Sequence, residues 1–208
     1  MTGEELQRRF ESGQRNFFLE DLTRVDLVQA DLHGIRLRRA HLPDAVLSQA
    51  ILAGAELGEA VLTGADLHRA DLSEADLTRA ELADSDLREA DIHEADLHGA
   101  DLIEANLAQA DLHGADLHGA ILRCAVLAGT DLHGADLHGA DLIGADLRGA
   151  ILHAANLEHA DLHGAILTQA DLTEANLREA ILIADLTGAD MTGADLRGAA
   201  MPDGPGDD

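Results

Sequence analysis

Leucine recurs at every fifth position from residue 22 to residue 182, and the one exception is Ile92. From residue 40 to residue 180, alanine stands two positions before each of these central residues, with Ser85 and Thr130 as the exceptions. Most five-residue units therefore read Ala–Asp/Asn–Leu–x–x. Neither the 3.6-residue period of an α-helix nor the two-residue period of a β-strand matches this pattern.

The pattern predicts a short extended segment followed by a turn. In an extended backbone, the alanine and the leucine two residues later point to the same side. The next alanine comes three residues after the leucine, so only a turn over Leu–x–x–Ala returns it to the interior. Glycine at the second x position, as at Gly119 and Gly139, favours a type II turn, because the third residue of that turn has a positive φ. Where Arg79 and Glu104 take this position, we expect another turn type.

Repeated turns predict a coil that stacks on the next coil at the β-sheet spacing of about 4.7–4.9 Å. Leucines would stack along the centre and alanines would fill the corners, so each coil would be stabilised by its neighbours. Four right-angled corners would make a square coil of 20 residues. The spacing alone predicts the inward pairs and the turns, but neither the number of sides nor the hand of the coil.

The repeat Ala–Asp/Asn–Leu–x–x resembles the pentapeptide repeat proteins, and the resemblance runs from about Phe17 to Met201. It implies an all-β solenoid, a right-handed quadrilateral β-helix of about nine coils. The segments GEELQRRFESGQRNF and GAAMPDG are similar to cyanobacterial members of this family, including one linked to heterocyst differentiation. That similarity implies a protein that binds a regulatory protein partner.

The two ends depart from the repeat. We expect three parts: a capping helix with its lead-in over residues 1–16, the β-helix over 17–201 and a disordered acidic tail over 202–208. Thr2 and Glu5 have the spacing of a helix-capping box, and Leu6 and Phe10 lie on one helix face. We expect that face to cover the first coil. A one-residue deletion near 183–184 shifts the register of the last units.

Charge limits the classes of partner. The formal net charge is −26, and residues 41–208 carry 33 acidic side chains against seven arginines. Such a surface repels nucleic acids and anionic membranes, so we expect direct binding to neither. Two interpretations of this acidic surface stay open. The acidic side chains either only keep the protein hydrated and in solution, or they are themselves the ligand for a basic partner. The single cysteine, the lack of a signal peptide and the lack of a long apolar segment favour a cytoplasmic protein.

The sequence contains no Ser–His–Asp, P-loop or zinc motif. Most carboxylates recur with the repeat, and a narrow coil packed with leucine leaves no cavity. We therefore expect no catalysis and no cofactor. Histidines do align in the 20-residue frame, in the columns His93, His113, His133 and His153, and His98, His118 and His138. Neighbouring imidazoles could share a metal ion, although solvated turn residues are the interpretation that we favour.

One side of the coil collects outward aliphatic side chains. The members of this candidate partner face, here called the isoleucine side, are Val61, Ile103, Ile121, Ile143, Ile181 and Ile183. Branched residues suit strands, so the set is explained either by strand propensity or by a contact surface.

Three functions follow from these features. The leading hypothesis is a non-enzymatic scaffold that binds a regulatory protein along one side. The alternative, suggested by the family resemblance, is an acidic mimic of DNA that binds DNA gyrase or another topoisomerase. The central residues here are nearly all leucine, whereas gyrase-binding members often use phenylalanine. Metal binding by the histidine columns is the third hypothesis.

Overall fold

Parallel β-bridges connect residues that are 20 positions apart, from Asn16↔Arg36 to Asp161↔Ile181. The bridging residue is the one directly before each central leucine, so each coil has four bridges, which are five residues apart along the chain. The computed structural model describes residues 1–201, and over that range every bridge is isolated rather than part of a longer strand. The chain is therefore a β-solenoid whose sides are extended for only a few residues.

Backbone hydrogen bonds join each coil to both of its neighbours. In the unit 116–120, the first residue bonds to the preceding coil, the second and fourth bond to the following coil, and the fifth closes the turn. The four bonds are Asp116 N to Ala95 O (2.9 Å), Leu117 N to Asp136 O (2.7 Å), Gly119 N to His138 O (2.9 Å) and Ala120 N to Leu117 O (3.0 Å). The same set recurs along the solenoid, and it fixes the 20-residue register.

The remaining N–H of the unit is bonded by the aspartate that precedes the leucine. Asp116 Oδ1 accepts from the backbone N–H of His118 at 2.9 Å, and Asp136 accepts from His138 at 3.0 Å. Aspartate and asparagine favour such bonds to the N–H two residues on. The recurring acid is therefore a structural part of the turn, a role that the sequence analysis missed.

The interior consists of stacked leucines and alanines that are almost wholly buried. Ser85 and Thr130, the two polar replacements of alanine, are also buried, with 2% and 0% exposure. Their hydroxyl groups donate to backbone carbonyls, Ser85 to Leu82 O at 2.7 Å and Thr130 to Leu107 O at 2.8 Å. These bonds explain how a polar side chain is tolerated in an apolar core.

The corners from residue 19 to residue 179 all have a positive φ at their third residue. Gly119 and Gly139 have a φ of 64°, as predicted. The expectation of another turn type at Arg79 and Glu104 is wrong, because their φ values are 54° and 57°. The physical reason lies in the stacking: the N–H of Glu104 donates to Arg123 O at 2.9 Å. A different turn would break this bond, so the inter-coil ladder overrides the local preference of the residue.

Helix α1, Gly3–Glu11, lies on the first coil. The side chain of Thr2 caps the helix by accepting from the N–H of Glu5 at 3.2 Å, and the apolar face buries Leu6 and Phe10. The helix thereby covers the N-terminal end of the core, which an uncapped solenoid would expose to water. None of the helices formed by the described residues has the length and apolar character needed to cross a membrane.

The deletion near the other end is absorbed at one corner. Bridges beyond it join residues 19 apart, from Ile166↔Asp185 to Ile181↔Ala200. The segment between Leu182 and Asp185 makes the shortened corner, and the regular bridge pattern resumes after it. The expected disordered tail at 202–208 lies outside the described residues.

Leu117→Ala is expected to lower the free energy of unfolding by about 2–5 kcal/mol, because the hydrogen-bonded coils cannot collapse into the gap. Leu19→Ala is the matched control, since Leu19 is 63% exposed and its truncation should change stability by no more than about 0.5 kcal/mol. Urea unfolding followed by circular dichroism measures both. Equal effects of the two substitutions would contradict the interior position of Leu117.

Asp116→Ala is expected to lower stability by about 0.5–1.5 kcal/mol, because the N–H of His118 loses its intramolecular acceptor. Asp116→Asn keeps an acceptor oxygen, as Asn106 does for the N–H of Ala108 at 3.2 Å, and should be nearly neutral. The same unfolding experiment separates the hydrogen bond from the charge. Equal losses in both variants would show that the charge, and not the hydrogen bond, stabilises the turn.

Candidate functional surface

The structure places the six residues of the isoleucine side on the outside of one side of the solenoid. Val61, Ile121 and Ile181 belong to one column of β-bridges, in which each residue is paired with the one 20 positions on. Ile103, Ile143 and Ile183 each lie two residues after a bridging residue of that column. None of the six is buried.

The column is not apolar throughout. The residues between the three aliphatic bridging positions are all acidic: Glu81, Asp101, Asp141 and Asp161. Val61 is therefore separated from Ile121 by two coils, and Ile121 is separated from Ile181 by two more. The continuous aliphatic stripe that one side could have formed is instead a set of separate apolar groups within an acidic surface.

One of these groups spans three consecutive coils. Ile121, with 36% exposure, lies in the coil between those of Ile103 and Ile143. Arg123 stands beside them and donates from Nε to Asp141 Oδ2 at 2.6 Å. Exposure alone does not distinguish this side, since the outward isoleucines of other sides are exposed to a similar degree, namely Ile51, Ile151 and Ile166. The distinguishing feature is that three isoleucines occur in successive coils.

The arginines of the solenoid do not form a basic surface. Six of the seven arginines in residues 41–201 pair with nearby carboxylates: Arg69–Glu89, Arg88–Asp86, Arg123–Asp141, Arg148–Asp146, Arg178–Glu158 and Arg197–Asp195. The hydrogen bond from Arg197 lowers the pKa of Asp195 to about 2. Because the acids outnumber these arginines, the surface keeps a large excess of negative charge.

The histidines stack where the 20-residue frame places them. His93 and His113 are parallel, with an angle of 1° between the rings and 5.0 Å between their centroids. In the neighbouring column, His118 stacks on His98 at 5.0 Å and on His138 at 4.9 Å. His133 and His153 are also 5.0 Å apart but are tilted by 49°. Imidazoles of adjacent coils are thus neighbours at two successive corners.

Aspartates orient the first stacked pair. His93 Nδ1 lies 2.5 Å from Asp91 Oδ1, and His113 Nδ1 lies 2.7 Å from Asp111 Oδ1. The hydrogen bond to Asp91 raises the pKa of His93. Burial alone would raise the pKa of Asp111, but the hydrogen bonds from the backbone and ring of His113 outweigh burial and lower it. A carboxylate only accepts, so each Nδ1 carries a proton, and in the neutral imidazole each Nε2 keeps a free lone pair.

The metal candidates of the sequence analysis were His93, His113, His133 and His153. Within residues 1–201, no three or more histidine, cysteine, aspartate or glutamate side chains converge as the ligands of one ion. Stacking therefore brings these imidazoles together in pairs, and any ion bound there takes at most two of them as the side chains stand.

The sequence profile described as "Pentapeptide repeats" matches with eight copies, and the matched residues are 21–52, 40–79, 70–109, 80–119, 110–149, 150–183 and 184–201, which overlap in part. The matched segments cover almost all of the solenoid. No curated protein matches the chain.

Solved structures give further relatives. HetL from the cyanobacterium Nostoc sp. strain PCC 7120, a pentapeptide repeat protein involved in heterocyst differentiation regulation, is 40% identical over 98% of each chain, with a TM-score of 0.48. Rfr23 from Cyanothece 51142 is 39% identical over 49% of this chain and 63% of its own, with a TM-score of 0.30. QnrB1, a plasmid-mediated fluoroquinolone resistance protein, is 21% identical over 88% of this chain and 90% of its own, with a TM-score of 0.61, and shows the fold alone. The chain belongs to the pentapeptide repeat family.

Proposed function

We propose that the chain is a non-enzymatic scaffold that binds a regulatory protein along the isoleucine side. The observation that carries the proposal is the occurrence of Ile103, Ile121 and Ile143 in three successive coils of an otherwise acidic surface. Exposed apolar groups rimmed by polar residues are typical of protein-binding sites. Two further parts of the proposal rest on the resemblance to pentapeptide repeat proteins. They are the regulatory class of the partner and the right-handed, quadrilateral form of the solenoid.

The surface around these isoleucines restricts the partner. Asp101 and Asp141 flank Ile121 in the bridge column, and Asp161 follows. A complementary partner would present a short apolar strip with arginine or lysine on both sides of it. The excess negative charge would speed the encounter with such a partner, whereas the apolar contacts would slow its dissociation.

Two features support a function without catalysis. The interior is filled with leucine and alanine, and the aspartates that precede the leucines accept backbone hydrogen bonds in their own turns. A depression beside helix α1 is lined by Phe10, Arg15 and Asp31, among others. There the guanidinium of Arg15 lies over the ring of Phe10 at 3.9 Å from its centroid. This stacking is a packing contact, which is the role that we assign to both residues.

Mimicry of DNA is the second candidate, because the described coils carry a large excess of acidic side chains and are stacked in one long column. A gyrase supercoiling assay in the presence of the protein tests it directly. Mimicry requires that the protein inhibits or protects gyrase and that added salt weakens the effect. If the protein is a scaffold and not a mimic of DNA, it should have no effect on gyrase, with or without added salt.

The double variant Ile121→Arg with Ile143→Arg is expected to weaken partner binding at least about 30-fold, because buried, unmatched charge would replace two central apolar contacts. The control is the double variant Ile151→Arg with Ile166→Arg, which adds the same charge at exposed isoleucines on other sides. The partner is first captured with the unmodified protein from cells that produce it, and its affinity for each variant is then measured by calorimetry.

Both double variants should keep the fold, which circular dichroism and thermal unfolding would show, since none of the four side chains enters the core. Partner binding should survive in the control and fail in the test variant. If the captured partner binds both variants as tightly as the unmodified protein, the isoleucine side is not its binding site.

A further inference from the structure

The pair His93–His113 has a geometry that the other stacked histidines lack. Both rings are held by an aspartate two residues earlier, at 2.5 Å and 2.7 Å, and their planes differ by only 1°. Because each Nδ1 faces its own aspartate in the same way, the two Nε2 atoms point in the same direction, away from the carboxylates. Two imidazole lone pairs therefore stand side by side on the surface.

We propose that His93 and His113 bind one divalent transition-metal ion through their Nε2 atoms. Neutral imidazole is a preferred ligand of nickel, copper and zinc. Metal-binding histidines characteristically donate their other ring N–H to a carboxylate, which fixes the tautomer and the orientation of the ring. Asp91 and Asp111 stand in that position here. The proposal concerns a different corner of the solenoid from the isoleucine side and does not depend on it.

The distance between the rings sets the requirement for binding. Two nitrogens on one ion lie at most about 4.2 Å apart, since each bond is about 2.0–2.1 Å long. The ring centroids are 5.0 Å apart. The rings must therefore tilt toward each other until the distance between the two Nε2 atoms is roughly 1 Å or more below this value. Both side chains are partly exposed, with 30% for His93 and 44% for His113, and can do so. Water completes the coordination, because only two protein ligands are available.

The other stacked pairs are less suited to this role. The rings of His133 and His153 are tilted by 49°, and His153 Nδ1 contacts the hydroxyl group of Thr173 at 2.7 Å instead of a carboxylate. His98, His118 and His138 stack on one another, but their aspartates bond only to the backbone N–H of each histidine. An orienting carboxylate contact on both rings thus distinguishes the proposed site.

His33 offers a matched control. Its Nδ1 contacts Asp31 at 2.8 Å, as in the proposed site. His33 takes the same corner position three coils before His93, and Ala53 and Ser73 take that position in the two coils between them. The corresponding residue in the next coil is Ala53, so His33 has an oriented ring without a second imidazole beside it. Ala53, Ser73 and Thr173 also show that this corner accepts small residues, which makes serine a suitable replacement for histidine.

The experiment is a calorimetric titration of the full chain with NiCl₂. The starting protein carries serine at the five other stacked positions, namely His98, His118, His133, His138 and His153. His93→Ser, His113→Ser, the double variant and His33→Ser are then compared in it. We expect one chelated nickel ion per starting protein. Either single substitution should weaken its binding at least tenfold and as much as the double substitution does, whereas His33→Ser should leave it unchanged.

Independent binding by single histidines gives a different result. If each substitution removed an equal share of the bound nickel, or if His33→Ser weakened binding as much as His93→Ser, the proposed chelate would be disproved. Asp111→Asn provides a second measurement, because asparagine still bonds to the backbone N–H of His113 but no longer offers a carboxylate to its ring. We expect about a 10- to 100-fold weaker affinity with unchanged circular dichroism, and an unchanged affinity would overturn the assigned role of Asp111.

Discussion

The hydrogen bond from each central leucine to the following coil is the interaction on which the rest of the molecule depends. Leu117 N donates to Asp136 O at 2.7 Å, and Leu137 N donates to Asn156 O at 2.7 Å. This bond fixes the offset between coils at one residue less than a full turn, and thereby the 20-residue coil. Every side chain then lies beside the one 20 positions on. The stacked leucines, the stacked histidines and the isoleucine side are all consequences of that register.

The same ladder makes a costly corner acceptable. A residue other than glycine with a positive φ is strained by about 1 kcal/mol or more, yet Arg79 and Glu104 adopt that conformation. Each such corner is tied to the next coil by its own N–H, for example Glu104 N to Arg123 O. A single unit has no neighbour to provide this bond, so the strain is offset only in the stack. Helix α1 completes the arrangement by covering the first coil.

The regular parts of the structure were predictable because one pattern determines them. The buried alanine and leucine positions follow from the five-residue period, and the capped helix follows from Thr2 and Glu5. The turn at Glu104 does not follow from the local preference of glutamate, because the hydrogen bond from its N–H to the next coil overrides that preference. Deletion of one residue near 183–184 was visible in the sequence, since it interrupts the period.

The surface contacts could not be predicted, because each long side chain has several partners within reach. Arg88 bonds to Asp86 in its own unit at 2.5 Å, whereas Arg69 bonds to Glu89 in the next coil at 2.6 Å. Spacings of two and of 20 residues are both close in this fold, and the sequence alone does not choose between them. The contact of His93 with Asp91 is of the same kind. A candidate site built from such contacts needs the structure to locate it.

The two candidate surfaces differ in whether the turn beneath them keeps its hydrogen bond from an aspartate to the backbone N–H. At His93 the preceding aspartate still accepts the turn N–H, at 3.3 Å, and also orients the ring, so the imidazole is added without loss of a backbone contact. At Ile121 the acid itself is replaced, and the N–H of Arg123 loses the acceptor that aspartate would provide. Such a hydrogen bond contributes about 0.5–1.5 kcal/mol.

Strand propensity favours isoleucine by an amount of similar size, so propensity alone explains one such replacement. It does not explain Ile103 and Ile143, which lie at turn positions outside the bridge column, and their presence beside Ile121 is what favours a contact surface.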